Sequence, residues 1–552
     1  MSARRGGRHA QVGVRRQGFG AALLLWRRML FASRWGILVW SLVMAGLLYY
    51  MVQAVRTVMG PDGLQARAQV IGLPAGAMLS GPGYGLEDYT PQAMAANELL
   101  GGFAVAVAIM SLRLAVRHTR GDEEAGRTEL LRALPVGRFA PLGAAVGTGL
   151  TANLGAAVLV FLALRACGFE ANGSLGFALG LLLLGSVFTG VGVLCAQLSL
   201  TARTASAWAG MLLGLAYLLR AVGDAGQRGG GVLSWASPIG WIQQQRLFVQ
   251  QRVWPLWLVL GLGVLLIAAA FALQARREVG AAVFSQRAGR GRAGWLGRTL
   301  LGFGLRMERN RMLCWAAAVL VAAVLTGSLA GAVADAFAQL PQLQALLGAP
   351  GADAHLDQLV MAALAKFLAF FAMVVGVFAV QSPHRLRRDE LHHRGEVVLA
   401  LPVSRWWLMG HQMLLGLLGS ALLLAMAGLG LGIGAGSALA APVLGSFVAA
   451  SLWYLPVVAC WLALSMVALG IEVRGGAALV WVLLVGCILI GTYGPLLNVP
   501  QWVMDAEPFT SIAALEIVRE GASAVPAAGF TAAALLLGAL ALGLYRRRDL
   551  RG

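Results

Sequence analysis

Arg120, Asp122, Glu123, Glu124, Arg127 and Glu129, closed by Arg138, form one charged segment of this chain, and Arg387, Asp389, Glu390, Arg394, Glu396 and Arg405 form a second. The first reads RGDEEAGRTELLRALPVGR from residue 120 and the second RRDELHHRGEVVLALPVSR from residue 387, so charges and closing ALPV tetrapeptide fall at matching positions. That pattern, in an otherwise apolar chain, reads as an internal duplication. Neither segment groups a nucleophile with a base. His392 and His393 stand side by side in the second copy only, which suits a solvated pair better than a metal site. What these residue types can do is present charge to a soluble partner.

Read as helices, 120–134 and 387–401 are amphipathic. A seven-residue spacing returns to the same helical face, which aligns Asp122 with Glu129 and Asp389 with Glu396. Leu130, Leu131 and Leu134, or Val397, Val398 and Leu401, gather on the other side with Arg120 and Arg127, or Arg387 and Arg394. Such arginines can snorkel to lipid headgroups while the acids face water. The plainer alternative is a pair of solvated loops whose charges only orient the chain in a membrane.

No GxxxxGK[ST] phosphate loop is present, nor HExxH, GxSxG or CxxC, so the chain reads as neither an enzyme nor a nucleotide binder. The five cysteines lack framework spacing and read as packing residues. Charges within apolar stretches are few: Glu98, Asp335, Lys366 and Glu472. Ionisable groups at membrane depth are functional candidates. Glu98, Asp335, Asn153, Gln197, His411 and Gln412 are therefore candidates for a substrate pathway, the amides and histidine serving equally well as interhelical hydrogen bonds.

The elements that must position these residues are membrane spans. Of 552 residues 59% are hydrophobic and 12% charged, with a mean hydropathy of +0.75, which describes a polytopic membrane protein. A net charge of +19 would suit nucleic acid, but the arginines cluster in short segments between apolar runs. A single lysine, with abundant Ala and Gly, points to a GC-rich bacterial genome. A span needs about 20 apolar residues, which predicts spans at 36–55, 93–116, 141–166, 174–199, 204–222 and 254–275. A second set follows at 313–334, 358–381, 407–432, 443–470, 475–496 and 526–545.

With the N-terminus inside, most arginines fall in cytoplasmic segments, as the positive-inside rule requires. The expected fold is all-α, with twelve transmembrane helices in two parallel six-helix repeats related by a pseudo-two-fold axis along the membrane normal. Residues 1–35 form a basic cytoplasmic N-terminus with an amphipathic lead-in helix, 36–275 the first repeat, and 276–312 a cytoplasmic linker with a second lead-in helix. Residues 313–545 form the second repeat and 546–552 a basic cytoplasmic tail. Longer external segments at 223–253 and 497–525 carry Trp235, Pro238, Trp241, Pro500, Trp502, Pro508 and Phe509, which suit interfacial or re-entrant helices.

The run from Arg120 to Leu131, closing at Ala133-Leu134-Pro135-Val136-Gly137-Arg138, resembles the cytoplasmic signature of ABC-2 class permeases, in particular the two-repeat exporters of polyketide antibiotics such as tetronasin. The likeness extends to Arg276-Arg277-Glu278-Val279-Gly280 and its echo Arg547-Arg548-Asp549. It implies that 120–134 and 387–401 are coupling helices, with the charged residues named above as contacts for two copies of a separate ATPase subunit. The second copy departs from the pattern, with Leu391 in place of the third acid and His393 in place of Gly126. ATP and Mg would be bound by that partner and no cofactor or metal by this chain. The implied function is efflux of hydrophobic or amphipathic molecules through a bacterial cytoplasmic membrane, with both termini inside. The alternatives are an ion-coupled secondary transporter of the twelve-helix class, which would want carboxylates near the bilayer midplane, or a membrane scaffold.

Overall fold

The computed structural model describes residues 3–58, 61–72, 74–133, 136–276, 299–328, 352–391, 404–436, 444–471, 475–493, 500–512, 514, 517–518 and 523–547. Its described elements are all helices. Inside a bilayer no water is at hand for backbone N–H and C=O groups, and helices satisfy them within one segment. Eleven of the described helical segments, Leu444–Ile471 counted as one, are long and apolar enough to cross a membrane, and the chain is a polytopic α-helical membrane protein. The expected span at 475–496 coincides with an apolar helix, Gly476–Tyr493, that falls short of that measure.

The chain divides into two compact units, Met1–Ala288 and Gly289–Gly552. Unit 1 begins with α1 (Ala3–Val58), α2 (Pro61–Ile71) and α3 (Pro74–Ser80). Helix α4 (Pro91–Glu124) follows, and α5 (Arg127–Arg132) succeeds it after a break. Then come α6 (Ala140–Ala166), α7 (Ala171–Leu198), α8 (Ala202–Gly226), the short α9 (Val232–Trp235) and α10 (Pro238–Gln243), and α11 (Pro255–Arg276). Its core is built from α4, α6 and α7, with Leu100, Ala104, Val160, Leu184 and Phe188 buried between them. Helix α1 packs along α6, and α11 along α7.

Unit 2 holds α12 (Leu300–Gly327), α13 (Ala352–Gln381), α14 (His384–Leu391), α15 (Arg405–Ala435), α16 (Leu444–Leu452) and α17 (Leu455–Ile471). It ends with α18 (Gly476–Tyr493), α19 (Gln501–Asp505) and α20 (Val525–Arg547). Its core centres on α13, α15 and α17, where Phe378, Leu423, Val457 and Met466 are buried.

One expectation changes in kind. The lead-in segments are not separate elements: α1 and α12 each run unbroken from lead-in into span, with no proline at either junction to interrupt the hydrogen-bond ladder. The segment between the first two spans contains α2 and α3. Both open on a proline, at the one helical position where its missing N–H is harmless.

Lipid tails are as apolar as leucine, so close backbone approach replaces the hydrophobic effect as the force between spans. In unit 2, α12 meets α15 this way. A Cβ on Gly434 would lie 2.3 Å from the Val324 carbonyl oxygen, and one on Gly327 would lie 2.5 Å from that of Leu431. Gly36 in α1, by contrast, has open space around it. Gly434→Val should therefore lower the thermal midpoint of the detergent-held protein, as overpacking by about 1–3 kcal/mol does. Gly36→Ala should leave it unchanged or raise it, and equal midpoints for the two variants would overturn this account of the α12–α15 contact.

Candidate functional site

The first island is assembled at the end of α4. At 1.5 Å per residue, a helix from Pro91 to Glu124 is about 51 Å long and outruns a hydrocarbon core of about 30 Å, so one end extends into the polar region. That end winds through a π-helical turn at Arg117–Gly121 before Asp122–Glu124. The continuous coupling helix expected over 120–134 is not what forms. Gly126 takes the left-handed conformation, at φ 70°, and α5 starts afresh at Arg127. Glycine adopts that region without steric cost, and the turn satisfies the carbonyl of Glu123 through the Gly126 N–H at 3.0 Å. In an unbroken helix, residues 122 and 127 would point about 140° apart. The break lets Arg127 Nη1 meet Asp122 Oδ1 at 2.8 Å.

Several island charges brace the fold. Arg120 is only 2% exposed; its Nε donates to the Leu200 carbonyl at 2.8 Å, and its Nη1 donates to Glu123. Glu124 Oε1 accepts the Ala202 N–H at 2.8 Å. Both bonds hold the turn between α7 and α8. Arg138 Nη2 donates to the Gln274 carbonyl of α11 at 2.7 Å. His118 Nε2 shares a hydrogen bond with Ser33 Oγ of α1 at 2.8 Å, and its other nitrogen lies 3.7 Å from Asp122. The island is thus tied to four elements. Arg127, Glu129 and Leu130 face outward, and Leu130 is 75% exposed. Beneath α5 lies a cavity of about 30 Å³ whose lining includes His118, Glu123, Leu131, Arg138, Gln197 and Gln274.

The second island is described through Leu391, and Arg394 and Glu396 lie outside the described residues. In α14, Arg385 donates to Glu308 Oε1 of α12 at 2.6 Å and lies 3.5 Å from Asp389. Tyr545 of α20 donates to Glu390 Oε1 at 2.6 Å. Arg387 and Arg405 are exposed. Glu123 and Glu390 are therefore both engaged inside the protein.

The pathway candidates are placed differently from one another. Asn153 is fully buried, its Oδ1 2.8 Å from Ser111 Oγ of α4 and its Nδ2 donating to Thr189 of α7 at 3.4 Å. Gln412 donates to Ser382 at 3.3 Å, and His411 Nδ1 sits 3.3 Å from the Trp407 carbonyl. Gln197 lines the cavity under α5. Glu98, in a π-helical turn of α4, is gripped by Arg67 of α2 at 2.5–2.8 Å and accepts from Tyr89 Oη at 3.0 Å. Burial, with the Glu98 carboxylate beside it, pushes the Tyr89 hydroxyl well above the usual phenol range, so it stays a donor. Asp335 and Glu472 lie outside the described residues, and Lys366 is exposed.

Other buried charges escaped sequence reasoning. Arg220 in α8 is fully buried, with Nη1 3.4 Å from Asp224, which accepts from Ser234 Oγ at 2.6 Å. Their i,i+4 spacing was a readable signal. Glu308 pairs with Arg311 at 2.7 Å and with Arg385. Arg67 gave no signal, since its partner comes from another helix.

Residues 298–546 match the family described as Multidrug efflux system permease Rv1217c, C-terminal domain. Along 558 aligned positions, spanning 97% of this chain and 96% of the relative, the sequence is 32% identical to the multidrug efflux system permease protein Rv1217c of Mycobacterium tuberculosis (strain ATCC 25618 / H37Rv).

The Arg67–Glu98–Tyr89 cluster predicts a coupling measurable by a double-mutant cycle. Arg67→Gln strands a buried carboxylate and should destabilise unit 1 by roughly 1–3 kcal/mol, the partial exposure of Arg67 favouring the low end. Adding Glu98→Gln should recover part of that loss. Strictly additive melting shifts would mean that the pair contributes nothing to the fold.

Proposed function

The chain belongs to the multidrug efflux permease family, and on that footing we propose that it is the membrane permease of an ATP-driven exporter of the ABC-2 class. In this reading it carries hydrophobic or amphipathic small molecules across a bacterial cytoplasmic membrane, with both termini and both islands on the cytoplasmic side. Twelve spans in two six-helix repeats form the pathway. Two copies of a separate ATPase subunit bind ATP and Mg and perform the hydrolysis. This chain is not itself an enzyme.

One observation carries the ATPase docking: α5 presents Glu129 and the exposed Leu130 to solvent from a base bonded to the turn between α7 and α8, to the start of α8, to α11 and to α1. An exposed leucine beside a carboxylate, on a short rigid helix, is the anatomy of a protein contact, an apolar anchor with a polar rim. The bracing supplies the mechanical half of the argument. Force applied at α5 passes through Arg120 and Glu124 to the turn joining α7 and α8, through Arg138 to α11, and through His118 to α1. A loop that only oriented the chain would need none of these bonds. The pairing of Glu98 with Arg67 also weighs against the ion-coupled alternative, because a coupling carboxylate must exchange its proton or ion during transport.

The decisive residues are therefore the outward ones. Glu129→Arg and Leu130→Asp should each weaken co-purification with the co-encoded ATPase by about thirtyfold, the effect of losing a contact of roughly 2 kcal/mol. Drug efflux should fall in parallel while the melting midpoint stays unchanged. Glu123→Gln should lower that midpoint instead, by stripping the buried Arg120 of its carboxylate partner. If both outward variants kept full ATPase association and efflux, α5 would not be the docking element. Transport by the lone chain on an ion gradient would favour the secondary transporter.

A further inference from the structure

At the start of the short turn that follows α19, unit 2 buries a carboxylate that its fold does not require. Glu507 is 3% exposed; its Oε2 accepts the Thr510 N–H at 2.6 Å, and the Ser511 N–H donates to its carbonyl at 3.2 Å. Its Oε1 has no hydrogen-bond partner among the described residues. Unit 1 has the same local sequence pattern, a short helix followed by Ala-x-Pro: Ala236-Ser237-Pro238 after α9, and Ala506-Glu507-Pro508 after α19. There Ser237 caps the turn: its Oγ accepts the Ile239 N–H at 3.2 Å and donates to the Ala216 carbonyl at 2.6 Å, and the Trp241 N–H donates to its carbonyl at 3.1 Å. A neutral hydroxyl therefore suffices to start this turn, and every polar function of that serine is used. Unit 2 instead places a charge at that position and leaves one of its oxygens over.

That carboxylate lines a cleft of about 310 Å³, bordered also by Gln501, Thr510 and Ser511 and by the apolar side chains of Ile490 and Met504. Gly491 leaves the room for it, since a Cβ there would stand 3.3 Å from Glu507 Oε2 and 2.4 Å from Met373 Cε. No basic side chain is among the described lining residues. We propose that this cleft binds a monovalent organic cation of the ammonium type, its charged head on Glu507 and its hydrocarbon part against Ile490 and Met504. The volume corresponds to about ten waters, far more than a bare metal ion fills. One carboxylate with neutral oxygens is also a poor match for a divalent ion, which asks for several oxygen ligands. Burial holds the Glu507 carboxyl above the usual carboxylate range, as befits an acid whose countercharge arrives with a ligand. This inference stands apart from the ATPase reading, since binding is measured without transport.

The test uses the purified full chain in lipid nanodiscs, titrated calorimetrically with benzylammonium and, as the uncharged control, benzyl alcohol, in N-methylglucamine chloride. Glu507→Gln keeps an amide oxygen for the Thr510 N–H, so the turn should survive. It should weaken benzylammonium binding by about tenfold, the effect of losing a hydrogen bond to a charged group, and leave benzyl alcohol binding unchanged. If that variant fails to fold, Glu507→Ser, which copies the unit 1 solution, carries the same expectation. Equal benzylammonium affinity in the wild type and the folded variant, or no saturable binding by the wild type, would overturn the assignment. Displacement of benzylammonium by Na⁺ or K⁺ at matched ionic strength would overturn it too, by making the cleft an alkali-ion site.

Discussion

A charge withdrawn from water must find a partner, and the placement of each polar cluster in this protein follows from that constraint. Desolvating an ion costs several kcal/mol, and only well-placed opposite charge and hydrogen bonds offset it. Arg120 meets the requirement by joining Glu123 to the Leu200 carbonyl, Arg67 by embracing Glu98, and Glu308 by accepting from Arg385. Each pairing joins two elements that the apolar surfaces alone would leave free to slide, since leucine on lipid and leucine on leucine differ little in energy. Polar pairs therefore set registry here, and glycine contacts set distance.

The two devices divide the protein along its length. Where spans cross, small residues bring backbones together, as Gly434 does against Val324. Where helices emerge, arginines and carboxylates fasten ends to turns. Helix α1, unbroken over 56 residues, links the two regimes. Its Ser33 touches the island through His118, while Met44, Leu48 and Val52 lie in the unit 1 core. A displacement at the island therefore reaches the core through one stiff rod, with no flexible joint to absorb it.

Span positions were legible because they rest on composition summed over about 20 residues, and tertiary contacts hardly alter that sum. The islands were legible because their charges recur at matching positions. What could not be read was which charges face outward. Helical periodicity put Arg120 and Arg127 together on one side of a continuous helix, but a single left-handed glycine separates them, so Arg120 is buried and Arg127 exposed. Gly126 was visible as a weak helix former. Whether it merely weakened the helix or ended it depended on the bonds that Glu124 and Arg120 make to a turn almost 80 residues away. Glu98 illustrates the same limit: its isolation in the sequence suggested function, and its partner came from α2, a helix outside the predicted spans.

The islands also show which feature the fold must keep and which it can vary. In each unit the first long helix bonds the side chain one turn before the island's aspartate: Ser33 with His118 ahead of Asp122, and Glu308 with Arg385 ahead of Asp389. The chemistry differs completely. Unit 1 uses a hydroxyl and an imidazole, a pair without obligatory charge, whereas unit 2 uses a carboxylate and a guanidinium that stays ionised. When the contact recurs and the groups that make it do not, the contact is the constrained quantity. The consequence is mechanical inequality: a charged, nearly dry pair tolerates little separation because the Coulomb cost of parting it is steep, while a hydroxyl–imidazole bond yields more readily. The contact that ties the unit 1 island to its first long helix is thus the more compliant of the two contacts.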